Sequence, residues 1–129
     1  MTHAIARIVP AGLLAGLFIV FVGAAATGDP ARGEAIYQRC QGCHSIDRNR
    51  VGPMHAGLFG RRAGSVDGFD YSRAMRESGI VWDEDTLDAF LAAPRRLVPG
   101  SKMTYAGIAS AADRADLIAY LKQATARPQ

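Results

Sequence analysis

Cys40 and Cys43 are the only cysteines in this 129-residue chain, and His44 follows the second at once. Three chemistries could use such a run. Covalent haem attachment needs two thiols to add to the two vinyl groups on one porphyrin edge, with a histidine carried beneath the iron as an axial ligand. Dithiol redox chemistry needs the cysteine pair but also expects a βαβ pattern, and none follows here. A structural zinc site needs two more ligands. The chain offers only His3, His44 and His55 and no second C-x-x-C. The adjacent His44 has a place in the first chemistry alone, so the spacing points to one haem c bound through Cys40 and Cys43, with His44 on the iron.

That chemistry requires export, because reduced thiols meet haem outside the cytoplasm. The first 26 residues fit the requirement. Met1 to Arg7 is mildly cationic, Ile8 to Ala26 is uncharged, and Ala24-Ala25-Ala26 offers a small-x-small cleavage site. Residues 1–26 therefore read as a cleaved signal peptide and 27–129 as a single domain in the bacterial periplasm. The rival reading is an uncleaved anchor in the inner membrane, facing the periplasm, since an apolar run of ~17–25 residues can span a bilayer. Thr27-Gly28-Asp29 leads straight into a helix and leaves no flexible linker on which a tethered carrier could swing. The whole chain carries a formal charge of +3. Without Arg7 the balance is weaker still, too small to suggest nucleic acid as a partner.

The elements that must hold the run are short and helical. Asp29 suits an N-cap and Pro30 a first helical position, opening a helix to about Arg39 that delivers the motif at its end. Gly33 inside that helix costs about 1 kcal/mol against alanine, which calls for the close approach of another helix. Residues 45–70 show no sustained period and read as loop around a ligand. Tyr71 to Glu77 reads as a short helix. A third is capped by Asp83, buries Leu87, Phe90 and Leu91, and stops at Pro94. Arg95 to Ala109 reads as irregular. Ser110-Ala-Ala-Asp113 resembles a capping box that opens a last helix to about Ala124. So little regular structure makes a poor core unaided, and a buried haem would supply the missing apolar surface.

From Gly28 to Thr125 the chain resembles a class I cytochrome c of the mitochondrial and bacterial c2 type. The resemblance rests on motifs in order: Cys40-Gln-Gly-Cys-His44, Gly52-Pro53, Gly57-Leu-Phe-Gly-Arg61, Gly68-Phe-Asp-Tyr71, Gly79-Ile-Val-Trp82, Pro99-Gly-Ser-Lys-Met103, Ala106-Gly-Ile108 and Ala115-Asp-Leu-Ile-Ala-Tyr-Leu121. It implies an all-α, small cytochrome c fold, with a few short helices and long loops wrapped around one covalently bound haem. It implies Met103 as second axial ligand and Pro53 as the carbonyl that accepts the His44 Nδ1–H. Tyr71 and Trp82 would hydrogen-bond haem propionates, with Arg61 compensating their charge. Gly33, Tyr37, Leu117 and Tyr120 would form the crossing of the terminal helices. Met54 and Met75 read as packing, and His55 as surface loop. Phe90 and Met75 depart from the family's polar residues near the methionine sulfur.

The function so implied is one-electron transfer, Fe(III)/Fe(II), by a monomeric periplasmic carrier and not an enzyme. Its partners would be redox proteins with acidic docking surfaces, steered by a basic rim of Arg39, Arg95, Arg96 and Lys102. A tethered carrier or a haem subunit of a larger respiratory complex is the alternative. A peroxidase or gas sensor would need a distal acid–base residue, and the sequence offers no obvious one.

Overall fold

The computed structural model describes residues 27–126, so the signal-peptide reading of residues 1–26 lies outside the described residues. Five helices follow in order: α1 (Pro30–Tyr37), α2 (Arg73–Glu77), α3 (Glu84–Ala92), α4 (Pro94–Leu97) and α5 (Ala111–Ala124). Among the described residues there is no β-strand, only an isolated antiparallel bridge between Arg62 and Val81. Nor is any helix there long and apolar enough to cross a membrane.

The helix starts follow from their caps. Asp29 accepts the amides of Ala31 and Arg32 while Pro30 fills the first helical position, which satisfies donors that the helix cannot. Asp83 and Thr86 form a full reciprocal capping box on α3. On α5 only half of the expected box is seen. Ser110 accepts the Asp113 amide at 3.1 Å, while the Asp113 carboxylate turns instead to Arg32, 3.3 Å away on α1.

Pro94 ends α3 as expected, and it also starts α4, where the sequence suggested irregular chain. A proline cannot continue a helix but its fixed φ suits a first position. Leu97 and Val98 donate back to Ala93 and Pro94 at 3.1 and 2.9 Å.

The core is built where α1 and α5 cross, with α3 packed on α5. A Cβ on Gly33 would lie 2.0 Å from the Asp116 carbonyl oxygen and 2.7 Å from the Tyr120 Cβ. The glycine is therefore the condition for this crossing. Tyr37 and Leu117 are fully buried beside it, and Met75 of α2, Leu87 and Phe90 of α3 and Trp82 in the loop between those helices extend the same apolar cluster.

The chain between α4 and α5, which carries Met103, is fastened at its far end to α3. Ile108 N donates to Leu91 O at 2.8 Å. The mostly buried Arg114 guanidinium donates to the carbonyls of Ile108 and Ala109 and pairs with Asp88 at 2.7 Å.

Candidate functional site

Immediately after α1 the chain makes one more helical turn. Cys40 N donates to Tyr37 O at 2.8 Å, and the amides of Cys43 and His44 both donate to Cys40 O at 3.1 and 2.9 Å. Residues three and four apart on such a turn share a face. Both cysteines are free, Cys40 half-buried and Cys43 exposed. Burial pushes the Cys40 thiol above its ordinary value, against the opposing pull of the Arg39 guanidinium. Burial thus favours its protonated form.

The His44 ring is fixed by the loop that follows. Its Nδ1 lies 2.8 Å from the Pro53 carbonyl oxygen. A carbonyl can only accept, so Nδ1 carries the proton and the neutral ring keeps its lone pair on Nε2. Burial favours that neutral form, partly offset by the Pro53 carbonyl. Gly52 leaves the ring its room, since a Cβ there would come within 2.3 Å of His44 Cε1. Gly52 N is tied to Cys43 O at 2.8 Å, and the Arg50 side chain reaches back to Gln41 O at 2.6 Å. Two cysteine side chains on one turn beside an imidazole whose Nδ1 is fixed and whose Nε2 is unprotonated fit a covalently bound haem. In that arrangement Cys40 and Cys43 would hold the porphyrin and His44 the iron.

The remaining residues singled out from the sequence fall into separate settings. Met103 is half-buried against the core, and its amide donates to Ser101 Oγ at 3.2 Å. Tyr71 and Trp82 are buried, Tyr71 edge-on to Phe69 at 4.7 Å and Trp82 tilted on Phe90 at 5.0 Å. Burial raises the Tyr71 phenol above its usual value.

Arg61 and Trp82 are joined through the backbone, Trp82 N donating to Arg61 O at 2.9 Å. The Arg61 guanidinium donates to the carbonyls of Ala56 and Met54 at 2.6 and 3.1 Å, so it staples the loop between them. On the surface, Arg39, Arg95 and Arg96 are exposed. Lys102 is exposed too, but paired with Asp70 at 2.6 Å.

His55 departs from its expected place. It is half-buried, stacked on His44 with ring centroids 4.3 Å apart, and hydrogen-bonded to Tyr37 at 3.0 Å. Burial first, then His44 and Arg61, push its pKa down to about 3. A tyrosine on the crossing face of α1 was the available signal, because a buried hydroxyl needs a partner.

A family model described as Cytochrome c matches residues 30–125. The chain is similar to the cytochrome c2 of Rhodomicrobium vannielii, 44% identical over an alignment 114 positions long that covers 80% of this chain and 91% of the relative. It is 47% identical to the cytochrome c of Chlamydomonas reinhardtii over an alignment 106 positions long that covers 79% of this chain and 95% of that one. Among solved structures, cytochrome cH from Methylobacterium extorquens superposes with a TM-score of 0.73 at 42% identity, covering 74% of this chain and 99% of the other.

Proposed function

The chain belongs to the cytochrome c family, and from that premise we propose a periplasmic one-electron carrier whose iron is held between His44 and Met103. Its class I, all-α fold and its haem c make it an electron-transfer protein, not an enzyme. When bound, the haem supplies reversible one-electron exchange between Fe(III) and Fe(II).

The observation that carries the ligand assignment is the 2.8 Å contact from His44 Nδ1 to Pro53 O, which leaves Nε2 unprotonated. Such a partner also orients an imidazole ligand and raises its basicity. On the other side, Met103 would offer a soft, neutral thioether, which favours ferrous iron and raises the potential relative to a second histidine. With His44 and Met103 both on the iron, no position would be left for a substrate.

Around the exposed edge, Arg39, Arg95 and Arg96 would steer acidic partners into a weak, salt-sensitive encounter. Lys102 contributes less to that rim while Asp70 holds it. Tyr71 and Trp82 would anchor the propionates. In this reading Arg61 acts mainly through the loop it staples.

Cleavage after Ala26 is supported by how soon the chain docks. Asp29 N donates to Asp116 Oδ1 at 2.6 Å, and a Cβ on Gly28 would lie 2.1 Å from the Ala115 carbonyl oxygen. Only Thr27 separates the leader from chain already pressed onto α5. Mass spectrometry of the mature amino terminus tests this directly.

Optical spectra of the purified protein, oxidised and reduced, test the main reading. Met103→Ala is expected to keep covalent haem and lose the weak far-red absorption of an Fe–S bond. Persistence of that band in the variant would refute the assignment.

A further inference from the structure

The Tyr37 hydroxyl lies 3.0 Å from His55 Nδ1, and the face of His55 lies on His44 at 4.3 Å with 23° between the ring planes. Both ends of this chain of contacts are held independently of the bond to Pro53. Tyr37 is 1% exposed at the α1–α5 crossing, its ring against Tyr120 at 5.3 Å. The His55 loop is tied down by His55 N to Ser45 O at 3.0 Å and Ala56 N to Ile46 O at 2.7 Å. Arg61 binds the carbonyls of Met54 and Ala56, on either side of His55.

We infer that Tyr37 and His55 form a brace that fixes the plane of the His44 ring. The inference rests on the reading of His44 as an axial ligand. The hydrogen bond to Pro53 restrains one atom of that ring, and carbonyl acceptors tolerate a broad range of directions. A second ring lying on its face restrains the plane itself. Tyr37 in turn keeps His55 from turning, whether the phenol donates to an unprotonated Nδ1 or accepts from a protonated one.

The orientation of an imidazole plane decides which iron d orbital it overlaps, and therefore how unpaired spin spreads over the porphyrin in the ferric state. His55 and Tyr37 are thus positioning residues, acting on the redox centre through His44.

Paramagnetic NMR of the oxidised holoprotein reads that spread in the four haem methyl resonances. Tyr37→Phe and His55→Leu are each expected to change the spacing of those resonances, while keeping haem attached. Tyr37→Phe is expected to have no further effect in the His55→Leu background, since the hydroxyl acts only through the imidazole. His55→Phe, which retains a flat ring without the hydrogen bond, is expected to recover part of the wild-type pattern.

Unchanged methyl shifts in both single variants, or independent effects that simply add, would overturn the brace. A wild-type ferric spectrum without low-spin imidazole ligation would overturn the axial reading together with it. A normal wild-type spectrum with additive variants overturns the brace alone.

Discussion

Lys102 Nζ stands 2.6 Å from Asp70 Oδ2 and 2.9 Å from the carbonyl oxygen of the same residue, 32 positions back in the chain. One cation of the proposed rim is thereby already engaged. The Lys102 ammonium, by hydrogen bond first and charge second, holds the Asp70 carboxyl below its ordinary value. A lowered carboxylate pKa means the pairing is present above the usual carboxylate range and is lost as the pH falls through the folded value.

Both groups are exposed, so the pair stabilises the fold little and matters more for what Lys102 can reach. Asp70→Asn is expected to leave the melting temperature almost unchanged. It should speed association with an acidic redox partner about two- to threefold at low salt, the gain fading as salt screens it. Stopped-flow measurement across ionic strength checks this. A rate that falls, or a gain that persists in high salt, contradicts the steering role.

Gly33→Ala sets two magnitudes against each other. Helix propensity alone favours alanine by about 1 kcal/mol. The new Cβ would lie 2.0 Å from a backbone oxygen of α5, which no side-chain rotation relieves. Parting the helices costs about 1–3 kcal/mol of overpacking or more, so net destabilisation is expected, read as a lower midpoint in guanidinium unfolding. A stabilised variant would show that the crossing is looser than this geometry.

Local signals made the helix starts and the haem turn legible. Asp29-Pro30 and Asp83 act within four residues of themselves, and the Cys40–His44 turn is set by its own amides. Gly33 was also legible, because a glycine that costs helix stability advertises a close contact. What the sequence hid depends on residues far apart in it. His55 looked like surface loop, since its burial is made by Tyr37, 18 positions earlier, and by Arg61 binding the carbonyls beside it. Lys102 reads in the sequence only as one cation of the rim, because Asp70 reaches it only in the fold. Pro94 reads as a stop in the sequence, but the proline whose missing N–H and ring end α3 also has the fixed φ that opens α4.

Gly52→Ala tests the seat of His44. The added Cβ would meet the ring at 2.3 Å from Cε1 and 2.7 Å from Nδ1. Either the imidazole shifts or the Gly52-Pro53 backbone does, and both lengthen the bond to Pro53. Covalent haem is expected to survive, as judged by mass, because the thiols are untouched. The His44 Nδ1–H resonance should move or exchange faster, and thermal stability should fall by about 1 kcal/mol or more, the worth of one such bond. An unmoved resonance with unchanged stability would contradict this placement of the ring.

Tyr37→Phe should show its effect most clearly in alkali. Burial above all, with Cys40 and Tyr120 adding, pushes the Tyr37 phenol up to about 12. Once Cys40 is a thioether it no longer titrates, but burial and Tyr120 remain. An unfolded tyrosine ionises near about 10. The folded state keeps its proton longer, so Tyr37's contribution is whole below the unfolded value. It drains away as the pH rises toward the folded one, because only the unfolded chain gains by releasing the proton. Below pH ~10 the variant is expected to be less stable by about 1 kcal/mol, having lost the bond to His55. Above it the wild type loses stability that the variant does not, and the two curves converge. Denaturant unfolding of both proteins across this range reads the convergence. Curves that stay parallel would mean that the hydroxyl ionises as freely in the fold as outside it, which its burial does not allow.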